Sequence, residues 1–202
     1  MEEDIDAFFL AAEGSRDFNW IRARISALWA SGDDDPFDAK AEGFDAIFEN
    51  PIFAGADTSF VVRQNIPFIG GGAVTLMGRN GILPSLRPSK EQGQSNFINP
   101  GIRMLGVGAD VDLLPELRAS FNWNAFEFDD TTVLERLRQQ GDIDRFFGHD
   151  VSVSLIWRPL MTQNIVVRLS AAGLVKGEGF EDLYGNEADT PYSVLANIVL
   201  TY

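Results

Sequence analysis

One pattern constrains this chain more than any other. Seven stretches alternate apolar with polar residues, and the connections between them are short and long by turns. Successive side chains of a strand point to opposite faces, so each stretch reads as a strand with one greasy and one polar side. The stretches are Asp4–Ala12, Trp20–Ser31, Ile102–Leu113, Leu117–Phe128, Asp150–Arg158, Ile165–Leu174 and Tyr192–Tyr202. Short turns follow Ala12, Leu113 and Arg158, and long connections follow Ser31, Phe128 and Leu174. Short turns at one end and long loops at the other are the pattern of an outer-membrane barrel.

The last stretch states the pattern most plainly. Tyr192, Val194, Ala196, Ile198, Leu200 and Tyr202 form its apolar set, against Ser193, Leu195, Asn197, Val199 and Thr201. Its length suits a tilted membrane-crossing strand of ~9–11 residues, with a tyrosine at each end where interfacial girdles belong. In Trp20–Ser31 the greasy set is Ile21, Ala23, Ile25, Ala27 and Trp29, opposite Arg22, Arg24 and Ser26. Inward arginines are costly in a dry core and cheap in a wet lumen. In Asp4–Ala12 the alternation sets Ile5, Ala7, Phe9 and Ala11 against Asp4 and Asp6, and Ala12-Glu13-Gly14-Ser15-Arg16-Asp17 reads as the turn that follows.

The fold class expected is therefore all-β, an antiparallel up-and-down transmembrane β-barrel. Single-chain bacterial barrels have even strand counts, so seven strands point to a C-terminal barrel fragment. The acidic Met1-Glu2-Glu3-Asp4, where the basic region of a leader would stand, fits the same expectation. Residues 1–202 then make one barrel segment, with 129–148 and 175–191 as external loops and 32–100 as a longer loop, external or folded into the lumen. A loop that long is functional or disordered in most proteins, and its apolar pieces, such as Phe60-Val61-Val62, suggest that it packs against something. Within 129–148, Thr132-Val133-Leu134-Glu135 reads as a capping box opening a helix that ends near Gly141.

Charge narrows the partners. A net charge of −14 argues against a nucleic-acid binder. The 13 arginines outnumber 3 lysines, which favours forked contacts to carboxylates. The absence of cysteine rules out disulfides and thiolate metal sites.

Several loop motifs carry a family resemblance. These are Gly43-Phe44-Asp45-Ala46-Ile47-Phe48-Glu49-Asn50-Pro51 with Phe53-Ala54-Gly55, Leu83-Pro84-Ser85-Leu86-Arg87 and Asn96-Phe97-Ile98-Asn99-Pro100-Gly101. Gly141-Asp142-Ile143-Asp144-Arg145 and Gly179-Phe180-Glu181-Asp182-Leu183-Tyr184 belong with them. Together they resemble the C-terminal region of bacterial alginate-export-like outer-membrane β-barrel proteins. The resemblance implies a porin-like passage for polymers or anions, and carries no particular binding residue across.

Catalytic and metal chemistry find little support. His149 and Asp150 stand together at a loop-to-strand boundary, but no nucleophile-elbow sequence accompanies them, so no enzyme is expected. Asp33, Asp34, Asp35 and Asp38 lack calcium-loop spacing and read as a solvated tip. Neither a metal nor a cofactor is expected. The residues with functional content are the inward charges, Arg22, Arg24, Arg118, Arg158 and Arg168 with Asp110, Asp112 and Asp150, as a lumen lining that tunes selectivity. Small inward Gly106 and Gly108 fit beside them.

Function is expected to be passage of small solutes or anionic polysaccharide across the outer membrane. The partners would be outer-membrane lipid and, through the terminal strand, the barrel-assembly machinery. The alternatives are a soluble or periplasmic β-barrel that binds a ligand, and a membrane anchor with a filled lumen.

Overall fold

A computed structural model describes residues 4–45, 53–55, 58–63, 67–69, 74–75, 97–159, 164–187 and 189–201. Its strands are β1 (Asp4–Ile5), β2 (Phe9–Phe18), β3 (Ile21–Ala30), β4 (Lys40–Ala41), β5 (Pro67–Ile69), β6 (Val74–Thr75), β7 (Ile102–Leu114), β8 (Leu117–Glu127), β9 (Phe146–Trp157), β10 (Ile165–Lys176) and β11 (Tyr192–Leu200). Its helices are α1 (Phe60–Arg63), α2 (Thr132–Arg138) and α3 (Glu178–Tyr184).

Seven strands form one antiparallel sheet in the order β2-β3-β7-β8-β9-β10-β11, so each long strand pairs with the next along the chain. The antiparallel all-β class is as the alternation requires. The sheet is open, with β2 and β11 as its edges, rather than closed into a barrel. β2–β3 and β7–β8 turn tightly, through Asn19-Trp20 and Pro115-Glu116. Asn19 takes the left-handed conformation (φ 56°) that such a turn needs, and asparagine tolerates it better than most residues. The long connections gather at the opposite end.

The first strand lies later than its alternation suggests. It spans Phe9–Phe18 and runs straight through the expected turn at Ala12–Asp17, while Asp4 and Ile5 pair in parallel with Lys40 and Ala41 in a separate two-stranded sheet. Register explains the shift. All ten residues of β3 find partners only if β2 lies opposite, from Phe9↔Ala30 to Phe18↔Ile21. Local turn preference around Gly14 and Ser15 is weaker than ten ladder pairings. The faces move as well. Phe9 shares the inner side with Ala30 and stacks on Phe44 at 4.9 Å, so it does not belong to the outer greasy set. Asp4 and Asp6 lie off the main sheet, and Glu13 and Asp17 take the inward acidic positions of β2.

Through its middle, one face of the sheet is apolar from β3 to the β11 edge, while on the β2 edge it carries Arg16 beside Ala23. A row across its middle reads Ala23, Ala109, Phe121, Val153, Ala171 and Val194, and the next reads Ile25, Val107, Trp123, Val151, Gly173 and Tyr192. Its large side chains stand open, including Ile25, Phe121 and Val153, with Tyr192 77% and Val194 72% exposed at the β11 edge. The largest exposed apolar patch of an ordinary soluble monomer is ~300–600 Å², far short of six adjacent strands.

The other face grades along the strands. Toward the long-loop end it is hydrophobic. Leu28, Ala30, Ile102, Met104, Phe126 and Leu174 there join Phe128, Phe147, Leu134, Phe180 and Leu183 in the core. Burying side chains of this kind is worth roughly 1.5–3 kcal/mol each, which makes the loop end the stable part. Helix α2 is entered from Thr131, whose hydroxyl meets Glu135, and it stops at a left-handed Gln139 rather than near Gly141. The acidic loop tip is not uniformly solvated. Asp33 is fully buried and accepts hydrogen bonds from the backbone N–H groups of Asp35 and Glu42, which closes the loop around it.

Candidate functional site

Toward the short-turn end the inner face becomes polar, and register places its charges. One row reads Asp112, Arg118, Ile156, Arg168 and Asn197. The next reads Asp17, Arg22, Asp110, Ser120, Ser154 and Ser170. A third brings Arg24, Gly108, Asn122 and Ser152 into line.

Two polar cavities open on these rows. The larger, of about 290 Å³, holds Arg24, Arg118, Arg158 and Arg168 with Glu13 and Asp110, and Ala54 and Gly55 of the long connection form part of its wall. Four guanidiniums against two carboxylates leave it net positive. The smaller, of about 210 Å³, is lined by Asp17, Arg22, Asp110, Asp112 and Arg118 among others.

Most of the cations are already engaged. Arg22 forks onto Asp17, and Arg118 forks onto Asp112 at 2.6 and 3.1 Å. Arg24 bonds Asp110 and, at 2.7 Å, the Asn122 amide oxygen, while Ser120 donates to the other Asp110 oxygen at 2.6 Å. Arg158 differs. Its backbone N–H is held by the Glu116 carbonyl, but its buried Nε has no hydrogen-bond partner among the described residues. Ser154, almost fully buried on the same cavity wall, likewise has no hydrogen-bond partner for its hydroxyl among the described residues.

Small residues make the room. A Cβ on Gly106 would lie 2.2 Å from Asn124 Oδ1, and one on Gly108 would lie 2.7 Å from Asn122 Oδ1 and 3.0 Å from the Arg24 guanidinium. Glycine at these two positions lets amide and guanidinium side chains lie flat against β7.

Of the eight residues singled out from the sequence, seven meet at this end of the inner face: Arg22, Arg24, Arg118, Arg158, Arg168, Asp110 and Asp112. Asp150 does not join them. It sits further toward the loops, fully buried, with Ser59 and the backbone of Val61 as donors. Glu13 and Asp17 belong to the site and were missed. The period-two run Glu13, Ser15, Asp17 continuing past Gly14 is the signal that would have found them. His149 and Asp150 point to opposite faces, with His149 packed beside Trp123 and Phe146 at centroid distances of 5.1 and 4.9 Å, so they form no dyad. Asn122 and Asn124, on the same polar face of β8, bond Thr58 and the Ala54 carbonyl of the long connection.

Comparison with protein-family models, curated proteins and solved structures returns no match.

Proposed function

We propose that this chain forms part of the wall of an outer-membrane β-barrel that passes small anions or an anionic polysaccharide, akin to the alginate-export-like proteins its loops resemble. The observation that carries the reading is the pairing of an apolar face across six adjacent strands with a charged, cavity-bearing inner face. Lipid would cover the first and water the second. Strand lengths of 9 to 13 residues suit a tilted crossing. A soluble binding module would leave the apolar face in water, which counts against that alternative.

Strand direction limits how the wall closes. Six antiparallel steps separate β2 from β11, so the two edges run the same way. Joining them directly would make a parallel pair, and an antiparallel barrel therefore calls for an odd number of further strands between them. The exposed β11 edge would also be the element read by the assembly machinery.

Selectivity follows from the arginines near the short turns. A polyanion entering there meets net positive charge, and forked guanidinium contacts suit carboxylates. The test is the reversal potential of the reconstituted protein across a salt gradient, for the parent, Arg118→Ser and Arg158→Ser. Anion preference should fall in both variants, and should weaken in the parent with salt, because wet charges are screened over ~10 Å at 0.1 M. Cation preference in the parent, or no change in either variant, would remove the arginines from the function.

A further inference from the structure

The middle of the polar face is covered. Residues 53–55 and 58–61 of the long connection lie on it, between the arginine cavity and the hydrophobic core. Their attachments are hydrogen bonds to inward side chains of β2, β8 and β9. Glu13 accepts from the Ala54 N–H at 2.9 Å, and Asn124 donates to the Ala54 carbonyl at 3.2 Å. The Thr58 and Ser152 hydroxyls lie 3.1 Å apart. Asp150 takes the Ser59 hydroxyl at 2.9 Å and the Val61 N–H at 2.7 Å, both on Oδ2.

Asp150 is unusual among the inward aspartates. Asp17, Asp110 and Asp112 each face an arginine, whereas Asp150 is fully buried, has no ion pair among the described residues, and leaves Oδ1 without a partner. Burying a carboxylate on neutral donors is costly. An acid concentrates the attachment on one group, whose bonds to a hydroxyl and a backbone N–H are stronger than neutral ones. Apolar contacts hold the segment as well, with Ala54, Phe60 and Val61 in the core and Phe53 packed against it, and the hydrogen bonds to Asp150 fix where it lies on the polar face.

Building on the passage reading above, we propose that residues 53–55 and 58–61 are a constriction element of the polar path, and that Asp150 is the positioning residue that holds them in it. Released, the segment would leave Asn122, Asn124, Ser152 and Asp150 facing water, and the arginine cavity would lose the part of its wall formed by Ala54 and Gly55.

The absence of cysteine makes the test clean. In Thr58→Cys, reaction with a membrane-impermeant thiol reagent reports release of the segment without reference to conductance. Added Asp150→Asn should speed labelling by about tenfold, the scale of losing one charged-group hydrogen bond. Ser59→Ala, which leaves β9 intact, should act in the same direction. Conductance of the reconstituted protein should rise in both variants, and a Thr58→Cys/Ser152→Cys disulfide should return Asp150→Asn to the parental value until it is reduced. Labelling that neither variant changes would overturn the proposal, as would a conductance rise that the disulfide does not reverse. Faster labelling with no conductance in any inserted variant would leave the anchor standing and sink the passage reading instead.

Discussion

Arg24 and Asp110 meet across β3 and β7 on the polar face, 15% and 14% exposed. Among the described residues theirs is the least exposed ion pair of the inner face, and it ties three strands together because Arg24 also reaches Asn122 on β8. An ion pair this sheltered differs from the outlying forks of Arg22 and Arg118, which water screens. A double-mutant cycle with Arg24→Ala and Asp110→Ala should give a coupling of ~1–3 kcal/mol in denaturant unfolding, between the values for exposed and fully buried pairs. A coupling below ~0.5 kcal/mol would place the pair with surface ion pairs and open the cavity more widely to solvent.

Val153 tests what covers the apolar face. It lies in the middle outward row, between Phe121 and Ala171, and is exposed. In a bilayer, Val153→Arg should cost ~2–4 kcal/mol near the midplane. In water the same change at an exposed site stays within ~0.5 kcal/mol. Folding into lipid vesicles, measured beside the inward Ser120→Arg, distinguishes the two. Equal costs for both substitutions would contradict lipid on the Val153 side.

Asp33 gives the loop end a pH dependence. Burial pushes its carboxyl up to about 6 from 3.8, although the Glu42 and Asp35 backbone N–H groups favour the ionised form. The unfolded chain gives up this proton near 3.8 and the folded chain near 6, so the folded state holds more protons in between. Its effect on stability is therefore greatest in favour of folding below pH 4, and is lost as pH rises to 6. The loss is at most ~3 kcal/mol, from 1.36 kcal/mol per unit. Denaturation midpoints between pH 4 and 7 should show this fall in the parent and a flatter profile in Asp33→Asn. A parent profile as flat as the variant's would mean that Asp33 titrates alike in both states.

Alternation alone was enough for the strands whose faces are set residue by residue. From Ile21 to Ala30, and again from Leu117 to Glu127, every second residue faces the apolar side, because strand geometry is local and needs no partner to impose it. Five arginines and two of the three acids chosen from that rhythm consequently meet at one end of the sheet. The tertiary structure decided whatever depended on partners far along the chain. Pairing with β3 moved β2 to Phe9–Phe18 and turned Glu13 and Asp17 inward, against a turn preference readable near Gly14. The segment around Ser59, some ninety residues before Asp150, separated that aspartate from the other charges by supplying its donors. The pattern of helix α3 was too short to stand out, and its place follows from Phe180 and Leu183 packing into the core at the loop end. Alternation tells which side a residue faces, and only contact between distant segments tells what it meets there.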